Sequence, residues 1–383
     1  MDKSWNYRKI GDVCTVERGG SPRPIDKFIT DDENGINWIK IGDTTDSMYI
    51  TKTEQKIIPE GMKKSRYVKP GDFLLSNSMS FGRPYILQID GCIHDGWLVL
   101  RDDDDLFDKR FLYYYLSSKT TYEKFKSMAV GGVVNNLNSE MVRNVEVPVP
   151  SKDDQSEIAD LLDKLKGVID NRKNELELLD EFIKARFVEM FVSKNYPREE
   201  LDSLSFGKGE YGAQSASMEY DPSRPRYVRI TDINDDGSLN EDYVCSSNTD
   251  DDETYKLTYG DFCFARMGAT VGKTYAYKSG NQIFAGYLIR YRLRLDRIIP
   301  EYLYEFTRLN EYWNWVLLNQ SGAAQPGINA KKYGSLMIPV APLDEQKEFS
   351  EFVKQVDKSK VAVQKSLEET QTLFNSLMQE YFG

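Results

Sequence analysis

The second half of this chain restates the first. Val147-Pro148-Val149-Pro150 runs into Asp153-Asp154-Gln155-Ser156-Glu157-Ile158, and Ile338-Pro339-Val340-Ala341 runs into Asp344-Glu345-Gln346-Lys347-Glu348-Phe349. Val147 thus aligns with Ile338, an offset of 191 residues that persists to the pair Phe191 and Phe382. Upstream, the same offset pairs Phe111-Leu112-Tyr113 with Tyr302-Leu303-Tyr304, and Gly131 through Asn138 with Gly322 through Asn329. Repeated sequence patterns bury the same faces twice, so such a chain folds as two copies of one unit. The halves differ most in their loops. One scaffold then presents two different surfaces, which suits recognition better than a single catalytic centre.

Each half opens β-rich. Ile36-Asn37-Trp38-Ile39-Lys40-Ile41-Gly42-Asp43 and Arg226-Tyr227-Val228-Arg229-Ile230-Thr231-Asp232 alternate apolar and polar residues as half-buried strands do. Lys69-Pro70-Gly71-Asp72-Phe73 and Thr258-Tyr259-Gly260-Asp261-Phe262 each read as a Gly-Asp turn entering an apolar strand. A tyrosine-rich helix, a Gly/Asn-rich loop and a strand ending in proline follow in both halves.

From Ile158 the period changes to a heptad. Leu162, Leu165, Ile169, Leu176, Leu179 and Ile183 form the apolar seam of the first copy, and Val353, Val356, Val363, Leu367, Phe374 and Leu377 that of the second. Arg172, Arg186 and Lys360 interrupt it. Ser151 through Asp154 supplies a start of the capping-box kind. A narrow two-column stripe calls for a helical partner, and equivalent helices in one chain form naturally an antiparallel pair about a pseudo-twofold axis. The predicted fold is α+β: two similar mixed α/β domains, residues 1–150 and 196–340, joined by long helices over 151–195 and 341–383 that form an antiparallel coiled coil.

Hydrophobic residues make up 40% of the chain and charged residues 29%, the balance of a globular protein. Mean hydropathy is −0.56 and no apolar run reaches the length of a membrane helix. Met1 through Trp5 lacks the apolar segment of a signal peptide. Cys14, Cys92, Cys245 and Cys263 are scattered with no CxxC pair, as reduced thiols in a cytoplasmic protein are. The net charge of −11 opposes nucleic acid as a partner. The two helical segments carry −3 each, however, leaving −5 for the rest, part of it in the runs Asp102–Asp105 and Asp250–Asp252 that read as solvated loops. Local cation clusters remain: Lys63, Lys64, Arg66 and Lys69; Arg224, Arg226 and Arg229; Arg290, Arg292 and Arg294.

Motifs for chemistry fall short. Gly268-Ala269-Thr270-Val271-Gly272-Lys273-Thr274 resembles a phosphate loop, but Met267 stands where its first glycine belongs and the sequence continues as a strand rather than a helix. A hairpin turn is the better reading. The single histidine, His94, has no visible nucleophile beside it. No metal-ligand spacing, cofactor fingerprint or Asp/Asn-Pro-Pro-aromatic tetrapeptide is present, so no cofactor, no metal and no catalytic residue are expected.

As a whole the chain resembles the specificity subunit of a type I restriction–modification system. The resemblance is carried by Trp5 with Ile10-Gly11-Asp12-Val13, Gly19-Gly20-Ser21-Pro22, Trp38 through Asp43, Gly71 through Leu75, and the two Pro…Gln-x-Glu junctions at Pro148–Ile158 and Pro339–Phe349. It implies a non-catalytic subunit whose two target-recognition domains each read one half of a split double-stranded DNA site. It also implies docking of methyltransferase subunits, two being expected, on the helices, with restriction subunits joining through the complex. Residues 209–215, Gly-Glu-Tyr-Gly-Ala-Gln-Ser, replace the Gly-Ser-Pro opening of the first half, so different half-sites are expected.

Amides and arginines are the side chains able to make paired hydrogen bonds to base edges. On that ground the candidate DNA-contacting residues are Arg83, Asn135, Asn136 and Asn138 in the first domain, and Gln214, Arg266, Lys273, Gln325 and Asn329 in the second. The competing account of the asparagines is ordinary turn chemistry. Three other functions remain open at this point: the specificity subunit of a type IIB-like system, a coiled-coil adaptor that ignores DNA, and an ATPase using the imperfect phosphate loop.

Overall fold

The structure, a computed structural model, describes residues 5–77, 81–129, 136–322 and 326–383. It divides into two compact units. The first comprises residues 1–172 with 366–383, the second residues 173–365.

Both units are mixed α/β and are built on one plan. In the first, a sheet runs in the order Thr15–Arg18, Trp97–Arg101, Phe73–Ser76, Pro84–Leu87, Tyr49–Ile50. In the second, the order is Glu210–Tyr211, Leu288–Arg292, Asp261–Ala265, Thr274–Ala276, so the same strands recur without the edge strand. The Gly-Asp turns enter the matched central strands as predicted. Gly71 and Gly260 sit at φ +92° and +99°, a region where a Cβ is strained, and the following aspartates accept the N–H of Lys69 (3.1 Å) and Thr258 (2.8 Å). A small sheet closes each unit, Tyr7 facing Pro148 in one and Arg198 facing Pro339 in the other.

The alternating segments are shorter strands than their patterns suggest. Ile36–Ile39 and Arg226–Val228 end where Asp43 and Asp232 turn back to accept the N–H of Lys40 (2.7 Å) and Arg229 (2.9 Å), which winds the next three residues into a 3₁₀ turn. The local aspartate–backbone bond competes with the ladder and wins. The acidic run at Asp102 likewise departs from a purely solvated loop: the Asp102 carboxylate accepts the N–H groups of Leu106 and Phe107.

Two long helices, Lys152–Phe187 and Leu343–Phe382, share in both cores. Ser151 starts the first as expected, accepting the N–H of Asp154 (3.2 Å). In the first unit Ile158, Ala159 and Leu162 of one helix lie in the same cluster as Phe374, Leu377, Tyr381 and Phe382 of the other. In the second unit Phe182 meets Phe352 and Phe187 meets Phe349, with Lys360 on Asp180 at 2.9 Å, so these stretches run antiparallel. All twelve predicted seam residues are buried or half-buried; Leu162, Ile169, Ile183, Val356 and Val363 are the most enclosed. Of the interrupting cations, Lys360 takes Asp180 and Arg186 takes Glu189.

The junction glutamines show how closely the copies agree. Gln155 Oε1 accepts the Asp108 N–H, while its Nε2 donates to the carbonyls of Leu106 and Pro150. Gln346 Oε1 accepts the Ile299 N–H, while its Nε2 donates to Arg297 and Ala341. Every partner is displaced by the same 191 residues as the glutamines themselves. Both side chains are fully buried and tie the helix start to the loop before the tyrosine-rich helix.

Candidate nucleic-acid interface

Backbone hydrogen bonds identify one matched end in each unit. In the first, Gly19 N–H donates to Trp97, Gly20 to Ile93, Asn77 to Gly96, and Leu137 to Asn77. In the second, Gly212 donates to Leu288, Ala213 to Phe284, Arg266 to Tyr287, and Ile328 to Arg266. Three segments therefore converge at each end: the opening Gly-rich stretch, the residue after the central strand, and the end of the Gly/Asn loop. By this register Arg18, Ser21, Asn77 and Asp95 correspond to Tyr211, Gln214, Arg266 and Gly286.

The backbones match and the side chains do not. In the second unit the Arg266 guanidinium lies over the Tyr211 ring at 4.8 Å. Among the described residues its buried Nε has no hydrogen-bond partner, and its Nη1 reaches the Gly286 carbonyl alone, at 3.5 Å. The Tyr211 hydroxyl accepts the Ala330 N–H, which fixes the ring. Gln214 is exposed and packs where a Cβ on Gly286 would stand, 2.7 Å from that point. In the first unit Asp95 fills the centre instead. Ser21 Oγ donates to its carboxylate at 2.7 Å, Arg23 approaches at 3.4 Å, and Arg18 and Asn77 donate to its carbonyl. The Ser21 bond, with lesser help from His94 and Arg23, holds the Asp95 carboxyl below its ordinary range against its partial burial. Burial lowers the pKa of His94 beside it, against the pull of the Asp95 carboxylate; its Nε2 lies 3.1 Å from the Ile41 nitrogen and its Nδ1 2.7 Å from the Gly96 nitrogen.

Gln214, Arg266 and Asn329 are thus gathered at one end of the second unit, and Asn136 and Asn138 at the matched end of the first. Asn138 and Asn329 both cap short helices, accepting the N–H of Met141 and Lys332 at 2.9 Å each, so their carbonyl oxygens already have work in the fold. Asn135 and Gln325 lie outside the described residues. Arg83 and Lys273 occupy matched hairpin positions, since Ser76 donates to Arg83 and Ala265 to Lys273, but their side chains go elsewhere. Arg83 pairs with Asp46 at 3.3 Å and Lys273 with Asp235 at 2.7 Å. Each borders a hollow beside the tyrosine-rich helix, which includes Tyr113 in one unit and Tyr304 in the other. The segment before Lys273 is the hairpin that the sequence indicated: Asp261–Ala265 pairs antiparallel with Thr274–Ala276.

Sequence reasoning passed over Tyr211, Ser21, Asn77, Asp95 and the exposed Tyr287. The signal was present in the opening stretches, where Gly19-Gly20-Ser21 stands against Gly212-Ala213-Gln214 at an offset of 193 rather than 191. The expected cation clusters need correction. Arg290 is buried against Glu210, Arg226 pairs with Glu241, Arg229 with Asp232, and Arg66 with Glu17. Arg224 and Arg294 donate to the carbonyls of Thr249 and Ser205. These cations brace their own units.

A family model described as the type I restriction modification DNA specificity domain matches residues 2–180 and 212–371. The chain belongs to that family, and carries its pattern in both halves. It is similar to the type I restriction enzyme MjaIX specificity subunit of Methanocaldococcus jannaschii, 27% identical over 197 residues that cover 50% of this chain and 45% of that subunit. It is also similar to the type I restriction enzyme StySPI specificity subunit of Salmonella potsdam, 21% identical over 416 residues that cover 99% of this chain and 88% of the relative. The fold is shared with the crystal structure of the type I restriction–modification system S subunit from M. genitalium: TM-score 0.58, 15% identity, 100% of this chain and 98% of that one covered.

Proposed function

We propose that this specificity subunit reads a split site in double-stranded DNA, one half-site at the matched end of each unit, and directs the catalysis of its partners without performing any. The observation that carries this reading is the pair of ends with one backbone and two sets of side chains. A common frame docks on a common helix geometry, while exchanged side chains choose different bases. No group of His, Cys, Asp and Glu suited to holding a metal occurs among the described residues, and no described helix is long and apolar enough to cross a membrane. Function in the cytoplasm, where the DNA is, accords with this reading.

Methyltransferase subunits, two by the twofold logic of the repeat, would dock on the long helices, with restriction subunits joining through them. On the first helix Leu161 and Val168 in one unit, and Leu178 and Phe182 in the other, leave apolar surface for a partner to cover. Because so many arginines are internally paired, the partners also supply much of the phosphate contact. The isolated subunit is expected to bind its site at least tenfold more weakly than the assembled methyltransferase does; equal affinity would remove this part of the proposal.

The direct test is methylation mapping by long-read sequencing, in a host carrying this subunit with its methyltransferase and in one lacking only this subunit. A two-part motif with a fixed gap that vanishes on deletion is expected. An unchanged set of motifs, with the methyltransferase active, would replace the DNA reader by a protein adaptor.

A further inference from the structure

Of the arginines among the described residues of its unit, only Arg224, Arg266 and Arg294 face no carboxylate, and Arg224 and Arg294 donate instead to the carbonyls of Thr249 (2.7 Å) and Ser205 (3.3 Å). Arg198, Arg226, Arg229, Arg290, Arg297 and Arg308 all face carboxylates. Among the described residues no carboxylate forms an ion pair with Arg266. Its Cα is held between two extended segments, through its N–H on Tyr287 and its carbonyl on Ile328. The guanidinium plane rests on a ring that is itself pinned, by strand pairing with Ile289 and by the Ala330 N–H. An arginine stacked in this way has lost most of its freedom before any ligand arrives; with Nε buried, its terminal nitrogens make, among the described residues, only the 3.5 Å contact of Nη1 with the Gly286 carbonyl.

Such a group has a narrow set of suitable targets. A preorganised fork of N–H donors, in a unit that reads DNA, matches an edge offering two adjacent acceptors, and in the major groove the O6 and N7 of guanine are that edge. A phosphate would also accept the fork. But phosphate contact requires neither a pinned orientation nor the neighbours found here: Gln214, with both donor and acceptor, and the exposed ring of Tyr287. We infer that Arg266 is a specificity-determining residue that reads a guanine in the half-site of the second unit. This inference rests on the DNA-reading function proposed above.

The first unit supplies the contrast. At the matched position Asn77 is buried and its amide donates to the Asp95 carbonyl at 2.8 Å, so it braces the frame and reads nothing. The surface beside it offers a carboxylate at Asp95 where the second unit has bare Gly286. The two half-sites therefore differ at the matched base, with the guanine contact belonging to the second alone.

The experiment uses the full subunit assembled with its methyltransferase, on DNA libraries randomised one position at a time. The wild-type complex should show one position, in one half-site only, where guanine is preferred and Arg266→Gln lowers that preference by about tenfold or more, as loss of a bidentate base contact does. Arg266→Lys, which keeps the charge and loses the fork, should lower it too. Thermal melting of each variant establishes that it is folded. A uniform loss of methylation on every sequence, with base preferences intact, assigns Arg266 to phosphate and overturns the inference. Preferences altered in both half-sites overturn it as well, as does an unchanged profile. A wild-type complex with no sequence preference would instead defeat the DNA-reading proposal, so the two failures are distinguishable.

Discussion

The two units are alike at the buried junction where each long helix begins and unlike at the matched end of each. Gln155 and Gln346 make the same three hydrogen bonds to residues displaced by the same interval. At the candidate interface, Ser21 with Asp95 is replaced by Gln214 with Gly286, and Asn77 by Arg266. Packing tolerates few solutions for a buried amide whose three partners are backbone groups, because any substitute leaves them unpaired. A surface side chain held by a backbone frame is free to change. Duplication followed by exchange at the frame's ends is thus the economical route to reading two sequences with one fold.

The largest expected effect tests the conserved part of that comparison. Gln155→Ala or Gln346→Ala removes a fully buried amide and orphans one N–H and two carbonyls, a loss of about 3–5 kcal/mol for the unit concerned. Urea denaturation of each variant should show losses within about 1 kcal/mol of each other, since the cost of a buried hydrogen bond depends on its surroundings and these surroundings match. A small effect in one unit and a large one in the other would break the claim that the two junctions are the same device.

How far the sequence revealed this depended on which forces set each feature. The repeat, the heptad and the Gly-Asp turns are local or periodic, so residue spacing discloses them. The cation clusters misled because charge along a strand says nothing about what stands opposite: Arg290 looked like part of a basic patch and is buried against Glu210, which is 80 residues away. In the candidate interface residue type alone points to Arg266 and Gln214, but not to Tyr211 and Asp95, whose contacts form only when three distant segments converge. Lys273 and Arg83 were chosen by the same rule and are turned toward Asp235 and Asp46.

A second difference lies where each tyrosine-rich helix meets the first long helix. In the first unit Tyr114 donates to Asp163 at 2.6 Å, and burial with that bond holds the Tyr114 hydroxyl well above its ordinary range. The matched residue in the second unit is Glu305, and burial raises its pKa to about 7 against the pull of Arg308, with Asp357, Lys360 and Asp180 also facing it. Arg308 carries the link on to Asp180 at 2.7 Å. Between the ordinary glutamate range near pH 4.5 and pH 7, the folded chain keeps a proton that the unfolded chain has released. Stability of the second unit therefore falls as pH rises through that window, by up to about 3 kcal/mol from this group. Glu305→Gln should flatten the slope, so the stability difference between variant and wild type must change between pH 5 and pH 8. A difference constant across that range would show that Glu305 does not titrate there.

The smallest effect sharpens the comparison most, because it separates scaffold from reader within one side chain. Asn138 and Asn329 use Oδ1 to cap a helix, leaving Nδ2 as the atom with which either would donate to a base. Asparagine and aspartate are comparable caps, and alanine is a poor one, so Asn329→Ala should cost about 1 kcal/mol while Asn329→Asp costs little. If the residue serves only the cap, the aspartate variant keeps the methylated motif of the second half-site unaltered in long-read mapping. A changed base in that half-site, with stability intact, would assign the amide to recognition, and the same pair of substitutions at Asn138 asks the question of the first. An alike answer at both would place these asparagines with the glutamines, in the part of the molecule that duplication preserved. Unlike answers would place them with Arg266 and Asp95, in the part that it allowed to diverge.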